Sequence, residues 1–232
     1  MNPNQRFNIY TLIHKGLRAC MADALLAVGR MDPDDGADVA SAAAVVRGLL
    51  AFARSHLQHE EDWIHPALEA GRSGSSEETQ ADHVEHLEAL AALEASLRTL
   101  ESSIGPARAG AALRLYRQLA LFVADNFHHM HVEETENHAT FVECFRDEEV
   151  IALSDRLVAS LSPEEMATAM RWMLPFASAS ERADVFASVR QSAPPVAFEA
   201  LLAQVRPHLS ARDAAKLDLA LGAHRAPAAL AA

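Results

Sequence analysis

Residues 45–66, VVRGLLAFARSHLQHEEDWIHP, carry a helical stripe that begins apolar and then turns polar. The stripe consists of Val45, Leu49, Phe52, His56, Glu60 and Trp63. At about 100° per residue these positions share one helix face, which we expect to be buried. Burying a lone carboxylate is costly unless something compensates its charge, and a metal ion is a common compensation. Because His56 and Glu60 are four residues apart, one helix can offer both side chains to a single metal centre.

A second pair with the same spacing occurs in a predicted helix over residues 107–137. Its apolar stripe begins at Leu115 and leads at helical period to His129 and Glu133. His128 and His131 flank this pair at angles that should turn them away from the core, so we interpret them as solvated.

The sequence predicts two further long helices, over residues 5–28 and 76–103. Each of them has histidine within an apolar stripe. In the earlier helix, His14 lies within the stripe. In the later helix, the leucine stripe extended backwards passes over both His83 and His86, which are three residues apart. The apolar pattern does not choose between these two, so either or both are candidate ligands.

Four polar neighbours of the two pairs are expected to lie outside the ligand set. His59 is close enough to His56 to support the site by a hydrogen bond, while His65, just before a proline, is expected at a helix end. Glu61 and Glu134 lie about 100° around the helix from the acids that precede them, so we do not expect them to act as replacements.

The candidate metal ligands are His14, His56, Glu60, His83, His86, His129 and Glu133. Helical bundles build metal sites in this way, with side chains that project inward from facing helices. Four or five imidazoles with two carboxylates exceed what one tetrahedral zinc ion binds, and suit two ions bridged by the carboxylates. Mixed imidazole and carboxylate donors favour non-haem iron over zinc, copper or calcium. The sequence therefore predicts two iron ions.

Composition favours an all-helical protein, since half of the chain is hydrophobic while glycine and aromatic residues are scarce. The formal net charge of −12 argues against nucleic acid or anionic lipid as a partner. We expect no membrane span, because no uninterrupted run of about 18 apolar residues occurs. The first residues lack the pattern of a signal peptide, and Cys20 and Cys144 are isolated, so we expect a cytoplasmic protein.

The sequence changes in character after residue 146, and we divide the chain into domains at 1–146 and 147–232. Five short helices are predicted in the second part, where helix-start signals are clear. They include Ser162 with Glu165 and Ser178 with Glu181 at capping-box spacing. We interpret this part as a helical cap or an oligomerisation element, so a homo-oligomer is expected through it. Residues 225–232 are expected to be frayed.

Four segments, IHKGLR, HLQHEEDWIHPALE, DHVEHLEAL and HHMHVEETE, resemble the hemerythrin-like HHE cation-binding proteins in order along the chain. The resemblance covers about residues 8–146 and implies an up-down-up-down four-helix bundle around a di-iron centre with a bridging oxygen. It further implies that Glu60 and Glu133 bridge the two ions. His14 and His56 would be terminal ligands of one iron, and His129 with the helix-three histidine would serve the other.

Three functions are compatible with such a centre. The leading hypothesis is a binding protein that takes up O₂, NO or a related oxidant for sensing, scavenging or delivery, so that a small diatomic molecule is its partner. The second is a di-iron enzyme that reduces NO or peroxide or repairs iron–sulfur centres. The third is a metal-stabilised module whose C-terminal helices recognise another protein.

Overall fold

The computed structural model describes residues 6–223, so the predicted frayed end at 225–232 lies outside the described residues. No strand occurs within the described part of the chain. The helices are α1 (Thr11–Arg30), α2 (Gly36–His59), α3 (His65–Gly71), α4 (Glu77–Ser102), α5 (Gly105–Val132), α6 (His138–Cys144), α7 (Asp147–Ser160), α8 (Pro163–Phe176), α9 (Ala179–Ser192), α10 (Pro195–Val205) and α11 (Ala211–Ala223).

Helices α1, α2, α4 and α5 form a four-helix bundle. Each packs against its neighbours in sequence, and α5 closes the bundle against α1. Their shared core is continuous, with Leu17 of α1, Leu49 of α2, Leu93 of α4 and Leu119 of α5 all buried in it. Short connections between long antiparallel helices give this up-down-up-down arrangement. The predicted all-α bundle is confirmed.

The bundle begins later than the sequence predicts, since α1 starts at Thr11 and residues 6–10 are not helical. The side chain of Asn8 explains this start. Its oxygen accepts a hydrogen bond from the backbone N–H of Tyr10, and its amide donates to the backbone carbonyl of Glu134. This segment is therefore held against the end of the α5 segment, and the backbone N–H of Tyr10 is not available to extend α1 backwards.

Two π-helical turns interrupt the long helices of the bundle. The turn Glu60–Ile64 joins α2 to α3, and the turn Glu133–Asn137 joins α5 to α6. A π-turn holds one more residue than an α-helical turn, so the buried face moves on by about one position. For this reason Ile64 is buried, whereas the expected Trp63 is only partly buried.

The five short helices predicted after residue 146 are present as α7 to α11. Both predicted capping boxes are formed, at Ser162 with Glu165 and at Ser178 with Glu181. Helices α8 to α11 build a small core of their own, whereas Val150 and Leu153 of α7 pack with Tyr10 and Phe141. Helix α8 also packs along α1. The division of the chain at residue 146 and a role of this part in oligomerisation stay predictions.

The stretch Gly36–Gly71 is the one candidate membrane span in the described part of the chain, by length and composition. A helix in the core of a bundle meets the same criterion, and this stretch supplies Leu49 and Phe52 to the bundle core. The length and composition of this stretch are therefore weak evidence for a membrane span. The expectation of no membrane span stays a prediction.

Candidate metal centre

Six of the seven candidate ligands converge in the interior of the bundle, where two groups of four side chains form. The first group contains His14, His56, Glu60 and Glu133, and the second contains Glu60, His83, His129 and Glu133. Each group has two imidazoles, and both groups share the same two carboxylates. The sequence-predicted pairs of α2 and α5 therefore meet across the bundle, joined by one histidine each from α1 and α4.

The separations between donor atoms match the spacing of ligands around a metal ion. His14 Nε2 lies 3.4 Å from Glu133 Oε2, and His56 Nε2 lies 3.3 Å from Glu60 Oε2. In the second group, His83 Nε2 and His129 Nε2 are 3.2 Å apart. Donor atoms that each sit about 2.1 Å from one ion are about 3 Å apart when they meet at right angles. The distances within each group are therefore compatible with metal binding.

Six polar atoms that face this space lack hydrogen-bond partners. Both carboxylate oxygens of Glu60 and of Glu133 are buried without a partner, as are the Nε2 atoms of His14 and His56. Unpaired buried carboxylates are strongly unfavourable, and native proteins rarely tolerate them. A cation would satisfy all of these lone pairs together, so the residues present fit a bound metal.

Both π-turns begin at a candidate ligand, the one at Glu60 and the other at Glu133. The α-helical turn before each carboxylate keeps it on the same face as the histidine four residues earlier. The wider turn after it moves the next residue, an acid in both cases, toward the neighbouring helix. Such π-turns are frequent at functional sites, and here they place two carboxylates in succession around the centre.

These succeeding acids, Glu61 and Glu134, contact the outer nitrogens of two of the candidate ligand histidines. Glu61 Oε1 lies 2.8 Å from Nδ1 of His83, and Glu134 Oε1 lies 3.1 Å from Nδ1 of His14. On α4, Asp82 holds His129 in the same way at 3.0 Å. A carboxylate that accepts a hydrogen bond from Nδ1 leaves Nε2 of the same ring to face the centre, where a metal ion would bind it.

The two halves of the bundle repeat this arrangement. In one half the order is His56, Glu60, Glu61 and His65, and in the other it is His129, Glu133, Glu134 and His138, with identical spacings. The acid that follows α2 binds the histidine of α4, and the acid that follows α5 binds the histidine of α1. The supporting acids could have been found from this internal repeat, which the sequence analysis did not use.

Burial and mutual repulsion separate the pKa values of the two shared carboxylates. Burial raises the pKa of Glu133 to about 7, and the charge of Glu60 adds to the rise. Burial acts on Glu60 in the same direction, but His56 and then His14 outweigh it and hold the pKa of Glu60 well below its usual range. Two carboxylates that share a buried site commonly separate in this way. A cation between them would allow both to be ionised.

The pKa values of the two imidazoles in the first group, His14 and His56, also differ. Burial lowers the pKa of His56 to about 3, so this ring is neutral and its lone pair is free to bind a cation. Burial also opposes a charge on His14, but its contacts with Glu133 and Glu134 outweigh this and raise its pKa to about 10. The proton on His14 balances the nearby carboxylates, and a bound metal ion would take over that role.

Four further histidines of the two paired segments and of α4 lie outside the two groups of four. His86 is buried beside His129, with ring centroids 4.8 Å apart, yet it belongs to neither group of four, so its ligation stays a prediction. His59 hydrogen-bonds Glu165 of α8. His128 and His131 are exposed, as expected.

His65 is the first residue of α3, at a helix end as expected, and its side chain is fully buried. Its ring stacks on that of His83, and its Nδ1 lies 3.2 Å from Oε1 of Glu61. Glu61, His65 and His83 form a third group of potential metal ligands. The preceding π-turn accounts for the burial, since it turns the residue before Pro66 inward.

The fold and the donors define a helical-bundle protein of the class that binds metal cations in its core. The hemerythrin HHE cation-binding domain family matches residues 7–140, more than half of the chain, and the chain belongs to this family. Comparison with curated proteins and with solved structures gave no match.

Proposed function

We propose that this chain is a non-haem di-iron protein that reversibly takes up O₂, NO or a related small oxidant. The observation that carries the proposal is that Glu60 and Glu133 belong to both ligand groups. Two carboxylates common to two sets of donors are the arrangement that bridges a pair of ions. Mixed histidine and carboxylate donors, with only four side chains at each position, favour iron with open coordination sites.

His14 and His56 would hold one ion, and His83 and His129 the other, with the two carboxylates between them. Two iron ions would supply reversible one-electron chemistry and vacant positions for a small ligand. The protein's own part is to fix the donors. Glu61, Asp82 and Glu134 hold three of the four imidazoles by their outer nitrogens, which fixes both tautomer and ring orientation.

Apolar and aromatic side chains surround much of the centre. The ring of Tyr10 lies 5.4 Å from that of His14, and Phe122 meets His86 edge-on at 6.2 Å. Leu90 is also fully buried in this core. A water-excluding site strengthens the electrostatic hold on bound cations and limits side reactions of a bound oxidant.

The direct test is metal analysis of the purified chain, with optical spectra recorded under argon and after addition of O₂ or NO. We expect two iron ions per chain and a reversible spectral change with either gas. One ion per chain, or two ions without any response to either gas, would contradict the proposal. Turnover of excess NO or peroxide would instead favour the di-iron enzyme.

A further inference from the structure

A cavity of about 730 Å³ lies between the bundle and the C-terminal helices. Helices α1 and α2 form one wall, and α7 and α8 form the other. Small-molecule sites have volumes of roughly 300–1,000 Å³. A diatomic ligand needs far less room, so the proposed function does not account for this space.

The walls of the cavity are mostly apolar, and one of them is built from small residues. Small residues of α2 recur on the face turned to the cavity, at Gly48, Ala51 and Ser55. Across the gap, α8 contributes Met166 and Met170, whose flexible thioether chains adapt to ligands of different shape. An adaptable apolar wall opposite small residues is suited to an organic molecule of moderate size.

The inner end of the cavity reaches the metal centre, because His56 and Glu60 both belong to its lining. Glu60 is only 2% exposed, and neither of its oxygens has a hydrogen-bond partner. Tyr10 and Phe52 complete the apolar surroundings at this end. A molecule in the cavity would therefore lie next to the ion held by His14 and His56.

The charges around the cavity disfavour an ionic occupant. Glu165 is already engaged by Ser55 at 2.8 Å and by His59 at 3.1 Å. The guanidinium of Arg171 lies over the ring of Trp172, 4.7 Å from its centroid. Glu164 adds a further carboxylate to the lining, which repels anions, and the largely apolar walls do not solvate a cation.

We propose that this cavity binds an uncharged, largely apolar organic molecule and holds it beside the metal position of His14 and His56. The binding step depends only on the cavity. The contact with the metal position rests on the proposed di-iron function, so the two parts are tested separately.

The binding part is tested by titrating the full-length protein with the uncharged dye N-phenyl-1-naphthylamine, whose fluorescence rises in apolar surroundings. We expect saturable binding that 1-decanol displaces. A Cβ atom at Gly48 would meet nothing within 4 Å, so Gly48→Phe can project into the opening without disturbing the fold. We expect this variant, and Ala51→Phe beside it, to bind the dye at least 10-fold more weakly.

Gly36→Phe is the matched control, since Gly36 also lies on α2 in open space but outside the cavity. It should bind the dye like the unchanged protein. Equal dye binding by all three variants would overturn the proposal, as would tighter displacement by decanoate than by 1-decanol, which would indicate an anion site.

The metal part is tested by adding 1-decanol to the iron-loaded protein and recording its optical spectrum. We expect a saturable shift that Gly48→Phe loses while its iron content stays unchanged. Dye binding without any spectral shift would overturn the contact with the metal and leave the cavity site. Dye binding by a protein that takes up no iron would contradict the proposed function alone.

Discussion

Glu134, on the π-turn that follows α5, lies 3.1 Å from Nδ1 of His14 on the neighbouring helix α1. The same carboxylate accepts from Arg18 at 2.6 Å, so it is fixed from two directions. Burial opposes its charge, but His14 and Arg18 outweigh this and lower the pKa of Glu134 to about 2. It therefore stays ionised at neutral pH and keeps Nε2 of His14 directed at the metal position.

Glu134→Gln should weaken metal binding by roughly 10–100-fold without removing a ligand, because such supporting acids orient the ligand and raise its basicity. Competition against a chelator of known affinity measures the change. Glu136→Gln is the control, since Glu136 lies on the same π-turn but is exposed. Equal affinities for the two variants would contradict the role of Glu134.

Glu60→Ala and Glu133→Ala should each reduce the metal content to one ion or none, because each carboxylate belongs to both ligand groups. Glu61→Ala and Glu134→Ala should still reach two ions per chain at saturating metal, with lower affinity. Metal analysis of the four variants gives the comparison. Equal metal content in all four would exclude a carboxylate-bridged pair.

His83→Ala should remove the ion of the second group, because Nε2 of His83 is 3.2 Å from that of His129. His86→Ala should retain it, since His86 lies outside both groups. Metal content and the optical spectrum of the two variants decide between them. Loss of an ion from both variants would make both histidines ligands, and loss from His86→Ala alone would reverse the assignment.

Chelation should lower the melting temperature while the helix content at room temperature stays largely unchanged. A metal present at about 1,000 times its dissociation constant stabilises the folded state by about 4 kcal/mol. For a chain of this size that corresponds to roughly 10 °C. Calorimetry before and after complete metal removal measures the difference, and an unchanged melting temperature would mean that these residues do not form a buried site.

The bundle and the convergence of the inner candidate ligands could be predicted from the sequence because both depend on local periodicity. His56 and Glu60 continue an apolar stripe, and nothing between them breaks the α-helical repeat. The burial of His65 could not be predicted in this way, since the π-turn before it changes the repeat without a proline or glycine at its start. The cavity depends on how α8 packs on the bundle, and that packing is not encoded in the periodicity of either helix.

Gly16 determines how closely the C-terminal helices approach the bundle. A Cβ atom there would lie 3.0 Å from the backbone nitrogen of Met173 and 3.1 Å from the carbonyl carbon of Trp172. Backbone atoms cannot give way as a flexible side chain can, so Gly16→Ala should push α8 away from α1. We expect a loss of about 1–3 kcal/mol in the free energy of unfolding, typical of overpacking.

Gly110→Ala in α5 is the control for Gly16→Ala, because its new methyl group would meet only the end of the Arg114 side chain at 3.5 Å. Replacing a glycine within a helix should there stabilise the protein by about 0.5–1 kcal/mol. Urea unfolding of both full-length variants measures the two changes. Hydrogen exchange should show faster exchange in α8 for Gly16→Ala alone. If Gly16→Ala instead stabilises the chain like Gly110→Ala, then α8 does not rest on α1 at this point, and the outer wall of the cavity is not fixed by that contact.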